Sequence, residues 1–146
     1  MNYKKYPKRD PIRDYFPMPN EIYSLGLSAG EIAIYGFLMY CEDRSTYQCH
    51  PSYRTIGRAV KLSNNTVRKY VKDLEEKCLI RTQPTEIIRS DGRRQNGNLL
   101  YTIRPIEEAS RHRFEVQVRH NKHFIRQEQI RIQLGKPKHR NVQSSP

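Results

Sequence analysis

The 146-residue sequence predicts a mainly α-helical domain with one small β-hairpin, a basic N-terminal arm and a charged C-terminal extension. Three observations predict it. Residues 27–77 contain three helix-forming stretches, each opened by a serine able to cap it and spaced as apolar stripes. Residues 78–104 alternate branched and aromatic side chains around Asp-Gly and Asn-Gly turn sequences, the pattern of a hairpin. Both ends are rich in lysine and arginine and poor in apolar residues.

Composition narrows the functional classes. There are 27 Lys plus Arg against 15 Asp plus Glu, a net charge of +12, with a pI near 9.8 and a mean hydropathy of −0.90. Such an excess points to a polyanionic partner, most often nucleic acid. No run reaches the apolar length of a transmembrane helix, and the N-terminus has charges but no apolar core of a secretory signal. Cys41, Cys49 and Cys78 are an odd, sparse set, which suits buried thiols in a reducing cytoplasm better than a disulfide framework. Cys41, Cys49 and His50 lack a second Cys/His pair for a closed zinc site, and His120 and His123 lack nearby carboxylates. No phosphate-binding glycine loop or nucleophile motif occurs, so neither a metal, a cofactor nor an enzymatic activity is expected.

Residues 1–14 carry five Lys/Arg, two Asp and two prolines, and read as a flexible basic arm. Residues 15–19, apolar and proline-stiffened, read as an extended strap lying on the domain, with Asn20 as the cap of a short turn to Leu25. Ser28 and Glu31 have capping-box spacing, and Leu27 with Ile32 that of a hydrophobic staple, opening a helix to about Cys41. That helix is apolar nearly all round, so it is either the central core helix or partly a dimer face. A polar loop and a short strand over 47–50 follow. Pro51 and Ser52 open a second helix, Tyr53 to Val60, and Lys61 with Leu62 turns into a third, about 63–77.

That third helix has two unlike faces. Val67, Tyr70, Val71, Leu74 and Cys78 gather on one side; Asn64, Asn65, Arg68, Lys69 and Lys72 gather on the other. Cations combined with side-chain amides are what a helix needs to hold phosphates and read base edges in a DNA major groove. The hairpin wing, about 86–103, carries Arg93, Arg94 and Gln95 at its tip. Pro105 ends it. Residues 105–134 hold scattered apolar positions fitting neither period cleanly and are read as one or two charged helices; 135–146 read as a disordered tail. From 104 to 146 there are ten Lys/Arg and four Glu.

The order helix, helix, short turn, amphipathic helix, basic-tipped hairpin resembles the winged helix-turn-helix proteins. The carrying stretch is IGRAVKLSNNTVRKYVKDLEEKCLI, with Ile56 and Gly57 at an apolar and a small position and Val67 at the inward locking position. YFPMPNEIYSLGLSAGEIAIY and CHPSYRTIG extend the resemblance to compact proteins of bacterial plasmids, phages and integrative elements, over about 15–104. Two positions depart from the family: Lys61 and Cys78 stand where it often has Gly. A left-handed backbone at either would cost a side chain roughly 1 kcal/mol, and a slightly different turn geometry is the favoured reason.

The resemblance implies that Asn64, Asn65 and Thr66 lead into the major groove, with base contacts from Asn65 and Asn64. Arg68 and Lys69 are expected to reach guanine or phosphate, and Lys72 phosphate. Arg54 and Arg58 on the second helix, with Lys61 in the turn, suit phosphate contacts. Arg89, Arg93, Arg94 and Gln95 on the wing suit the minor groove or the backbone. Tyr53 and Tyr70 read as packing residues, and Glu75 and Glu76 as surface ion-pair partners of Lys72. The function implied is sequence-specific double-stranded DNA binding by a transcriptional regulator, cytoplasmic and nucleoid-associated when bound. The alternative is a replication-initiation or replisome-organising adaptor of a mobile element, recruiting replication proteins through 106–134. A second copy of the chain is a further candidate partner; a membrane is not.

Overall fold

The computed structural model describes Asp10 and residues 13–135. The expected arm therefore lies mostly outside the described residues, and so does the tail beyond Gly135. The chain divides into two compact units after His112.

In the first unit, three helices stand against a small sheet: α1 (Ala29–Cys41), α2 (Tyr53–Val60) and α3 (Asn64–Glu76). Each begins at a serine whose hydroxyl accepts a backbone N–H three residues on: Ser28 from Glu31, Ser52 from Thr55 and Ser63 from Thr66. These bonds satisfy donors that a helix start leaves orphaned. The capping box of α1 is complete, since Glu31 also accepts from the Ser28 N–H. Glu31 is buried and pairs at 2.8 Å with Lys77, just past the end of α3. One carboxylate thus caps α1 and ties it to α3, a double role that the spacing of Ser28 and Glu31 does not disclose.

Helix α1 is the central core helix. Ile34, Tyr35 and Leu38 pack with Ile56 of α2 and with Val67, Val71 and Leu74 of α3. Each fully buried side chain of this size contributes roughly 1.5–3 kcal/mol. The strap lies on α1 as its composition predicts: the Phe16 ring is 6.1 Å from that of Tyr40, and Met18 packs against the core and over Gly36. After it, residues Asn20–Ser24 form a 3₁₀ helix. Asn20 is its first residue and not its cap; Pro19 holds the cap position without a side-chain bond.

The hairpin is more divided than its sequence suggests. Strands β1 (Gln48–Cys49), β2 (Ile80–Gln83) and β5 (Leu100–Ile103) form an antiparallel sheet in the order β1-β5-β2. Strands β3 (Glu86–Ile88) and β4 (Arg94–Asn96) form a separate outer pair, with Glu86 opposite Asn96 and Ile88 opposite Arg94. The break falls where Pro84 lacks a ladder donor and where the Thr85 hydroxyl turns to the Asn98 carbonyl. Tyr101 and Ile103 face the core from β5, while β3 and β4 are exposed on every residue.

Lys61 and Cys78 correct the turn geometry expected from sequence. Both backbones are left-handed, with φ of 60° and 64°. The conformation is needed at each point. Leu62 N–H returns to the Gly57 carbonyl at 3.0 Å to close α2, and Leu79 N–H returns to Leu74 at 3.1 Å to close α3. A side chain in this region costs roughly 1–2 kcal/mol. Lys61→Gly is therefore expected to raise unfolding stability by about 1 kcal/mol, less what the added freedom of the unfolded chain removes. A higher urea midpoint at unchanged m-value would show it.

Helix α4 (Ile106–Gln133) is one helix, where the sequence left one or two open. Its start belongs to the first unit. Ala109 is buried in the core, Ile106 packs against it, and Arg104 bonds Glu108 at 2.6 Å. From residue 113 onward the helix is the second unit. Its apolar side chains Phe114, Phe124, Ile125 and Ile132 are exposed, and Gly135, at φ 65°, follows the helix end. No helix among the described residues is long and apolar enough to cross a membrane.

Candidate nucleic-acid interface

Helix α3 is seated by Val67, Val71 and Leu74, all buried, and by Tyr70, which lies against Gly30 of α1. The fit at the α2–α3 turn is equally close, and there it is made to backbone. A Cβ on Gly57 would stand 2.5 Å from the Leu62 carbonyl oxygen. The far end of α3 is fixed to the sheet by Glu75, whose carboxylate accepts from Thr82 N–H at 3.0 Å and from its hydroxyl at 2.9 Å. The sequence reading placed Glu75 and Glu76 in surface pairs with Lys72. Neither forms one among the described residues, and Glu75 serves as the brace between α3 and β2. Nothing in its local spacing signals this, because its partner belongs to the following strand.

With its inner face so held, α3 exposes Asn64, Asn65, Arg68, Lys69 and Lys72. Asn65 has Arg68 and Lys69 as its helical neighbours, and each of these has Lys72 as a neighbour in turn. Arg68 stacks over the Tyr53 ring of α2 at 5.7 Å, so this guanidinium is oriented before any ligand arrives. Tyr53 is thus a support for a charged side chain as well as a packing residue. Lys69 sits over Tyr70 at 5.9 Å. Thr66 differs from its neighbours: it is half-buried, and its hydroxyl is 2.8 Å from that of Ser63. Arg54 and Arg58 on α2 and Lys61 in the turn are exposed.

The wing cations have local partners. Arg89 donates to Gln95 at 2.8 Å across the β3–β4 pair. Arg94 lies 3.8 Å from Glu86, and Arg93 3.8 Å from Asp91. These ion pairs are more than half exposed, so water screens them and each is worth little. They leave the wing far less positive than its three arginines suggest. Glu86 and Asp91 are the acids that a reading centred on the arginines passes over.

Burial pushes the Cys49 thiol up to about 12, with help from the nearby Cys41 and Glu42, and burial raises Cys41 also. Both remain protonated at neutral pH. No group of three or more His, Cys, Asp or Glu residues among the described residues is placed to hold a metal ion.

A three-helix core with a tightly joined second and third helix, a three-stranded sheet and an outer two-stranded wing is the winged helix-turn-helix architecture. Comparison with protein families agrees: residues 25–80 match the model of a helix-turn-helix domain. One solved structure similar to this chain is described as a "Possible transcriptional regulator" from Methanosarcina mazei Go1. It is 18% identical, with a TM-score of 0.47, covering 73% of this chain and 82% of that one. A search of curated proteins gives no match.

Proposed function

We propose that this chain is a sequence-specific reader of double-stranded DNA that acts as a transcriptional regulator without catalysing a reaction. The observation that carries the reading is the outward face of α3. It presents two amides and three cations on a helix whose angle is set by buried contacts, with Arg54, Arg58 and Lys61 exposed beside it. In this reading α3 occupies the major groove. Asn65 and Asn64 meet base edges, Arg68 meets a base or phosphate, and Lys69, Lys72, Arg54, Arg58 and Lys61 hold phosphates. Arg89, Arg93, Arg94 and Gln95 rest on an adjoining stretch of backbone or minor groove.

Selection of bound fragments from sheared genomic DNA tests the proposal. A shared sequence lying at promoters is the expected result. Equal binding to every fragment overturns specificity, and a shared site confined to replication origins overturns the regulator role. Affinity is expected to fall steeply with salt. Lys72→Ala should lower the slope of log K against log salt by about 0.9 while leaving the preferred sequence unchanged. Fluorescence anisotropy across a salt series reads both.

A further inference from the structure

The first unit holds a cavity of about 470 Å³ beside α1. Pro17 of the strap, Met39 of α1, Ile103 of β5 and Ile106 at the start of α4 give it apolar walls. Its size falls within the range of sites that take small organic molecules. Four polar side chains also line it: Tyr35, Glu42, Tyr47 and Arg104.

Glu42, just past the last turn of α1, is the group left without a match. The residue is half-buried, yet its Oε2 is buried outright and has no hydrogen-bond partner among the described residues. An oxygen left in that state costs free energy, and native structures rarely keep one. Arg104, the cation on the same wall, is already committed to Glu108 at 2.6 Å. Arg44 pulls from the exposed loop, but burial outweighs it and raises the Glu42 carboxyl above its usual range. Glu42 also borders a more open hollow beside Cys41 and His50. Its charge nevertheless reaches Tyr35 in the apolar cavity, whose hydroxyl is pushed up to about 12, by burial first and by Glu42 next.

Tyr47 points the same way. Its backbone is left-handed, at φ 58°, a conformation that bulky residues rarely adopt and that gathers at ligand sites. Its N–H bonds the Asp43 carbonyl at 2.7 Å, and its carbonyl accepts from the Ile103 N–H at 2.9 Å. The backbone that carries this ring to the cavity is therefore fixed. Tyrosine faces attract cations, as does an unpartnered carboxylate. An acid is unsuited, because Glu42 repels it and Arg104 is taken.

We propose that this cavity binds a small organic cation, an amine carried on an apolar ring or short chain, with the ammonium on Glu42 and the apolar body against Pro17, Met39 and Ile106. The proposal does not rest on the DNA-reading role and is measured without DNA.

Calorimetric titration of the full chain with 2-phenylethylamine, 2-phenylethanol and 3-phenylpropionate compares three probes of similar size and different charge. The amine is expected to bind once per chain with a Kd below about 1 mM. The alcohol should bind about tenfold more weakly, and the carboxylate should give no heat of binding. The net charge of +12 favours the reverse order, so non-specific adsorption does not imitate this result. Glu42→Gln should bring amine and alcohol to equal affinity at a thermal midpoint near that of the parent. Tyr47→Ala, which removes a side chain 58% exposed, should weaken the amine about threefold or more. An amine that binds no tighter than the alcohol overturns the proposal, and so does a preference for the amine that survives Glu42→Gln. If Glu42→Gln fails to fold, unchanged amine affinity in Tyr47→Ala overturns it instead.

Discussion

Gly57→Ala is expected to destabilise the first unit by about 1–3 kcal/mol or more, although alanine is the better helix former. The added methyl would lie 2.5 Å from the Leu62 carbonyl oxygen. That oxygen belongs to backbone held by its neighbours. Leu62 N–H is bonded to the Gly57 carbonyl, and Ser63 caps α3 through the Thr66 N–H. Relief therefore requires α2 and α3 to separate, which opens the contact between Ile56 and Val67 in the core. Urea unfolding monitored by circular dichroism measures the loss. A midpoint equal to that of the parent protein would show that the α2–α3 turn yields where its geometry says it cannot.

Asn65→Ala and Arg68→Ala are each expected to weaken binding to the selected DNA site by about 1–3 kcal/mol, roughly five- to 150-fold, with little change on unrelated DNA. Both are exposed on the outer face of α3, and only Arg68 touches another element, through its contact with Tyr53, worth about 0.5–1 kcal/mol. The loss should therefore appear mainly in affinity, with an unchanged unfolding midpoint for Asn65→Ala and a small drop for Arg68→Ala. Arg68 gives the sharper result. Its guanidinium is stacked on Tyr53, so Tyr53→Leu should reproduce part of the Arg68→Ala defect by releasing the side chain it orients. Competition titrations with specific and random duplexes separate the two components. An equal loss on both duplexes would reassign Asn65 and Arg68 to the phosphate backbone.

The elements that sequence made legible are those governed by local chemistry. Ser28, Ser52 and Ser63 mark the three helix starts, and the apolar spacing of Val67, Val71 and Leu74 marks the buried face of α3. What stayed hidden depends on residues far apart in the chain. The ion pair of Glu31 with Lys77 and the brace from Glu75 to Thr82 join different elements. The stacking of Arg68 on Tyr53 joins two helices across a turn. The left-handed backbone at Lys61 and Cys78 is set by the carbonyls that the following amides must reach, and those override the preference of the side chain. The division of the hairpin follows from one missing donor at Pro84 and one hydroxyl at Thr85, small features beside the long alternating pattern. Helix α4 resisted a periodic reading because the exposed apolar residues in it and just past its end, Phe114, Val116, Phe124, Ile125, Ile130, Ile132 and Leu134, are spread around the helix and not gathered on one face. The candidate interface residues were legible as a face of α3; the partners of the wing arginines were not.

The bond from Glu75 to Thr82 has a bearing on what kind of site such a protein tolerates. It joins the last turn of α3 to the first strand leading into the wing, so helix and sheet base shift together as one body. Two groups rigidly offset from each other measure distance along a duplex. One inserted base pair moves the second contact by about 3.4 Å along the axis and about 35° around it. The brace ends at β2: under the proposed DNA-reading role the sheet base keeps its phase with α3, so the length of the site is expected to count alongside its letters, while β3 and β4 form a separate pair beyond the brace.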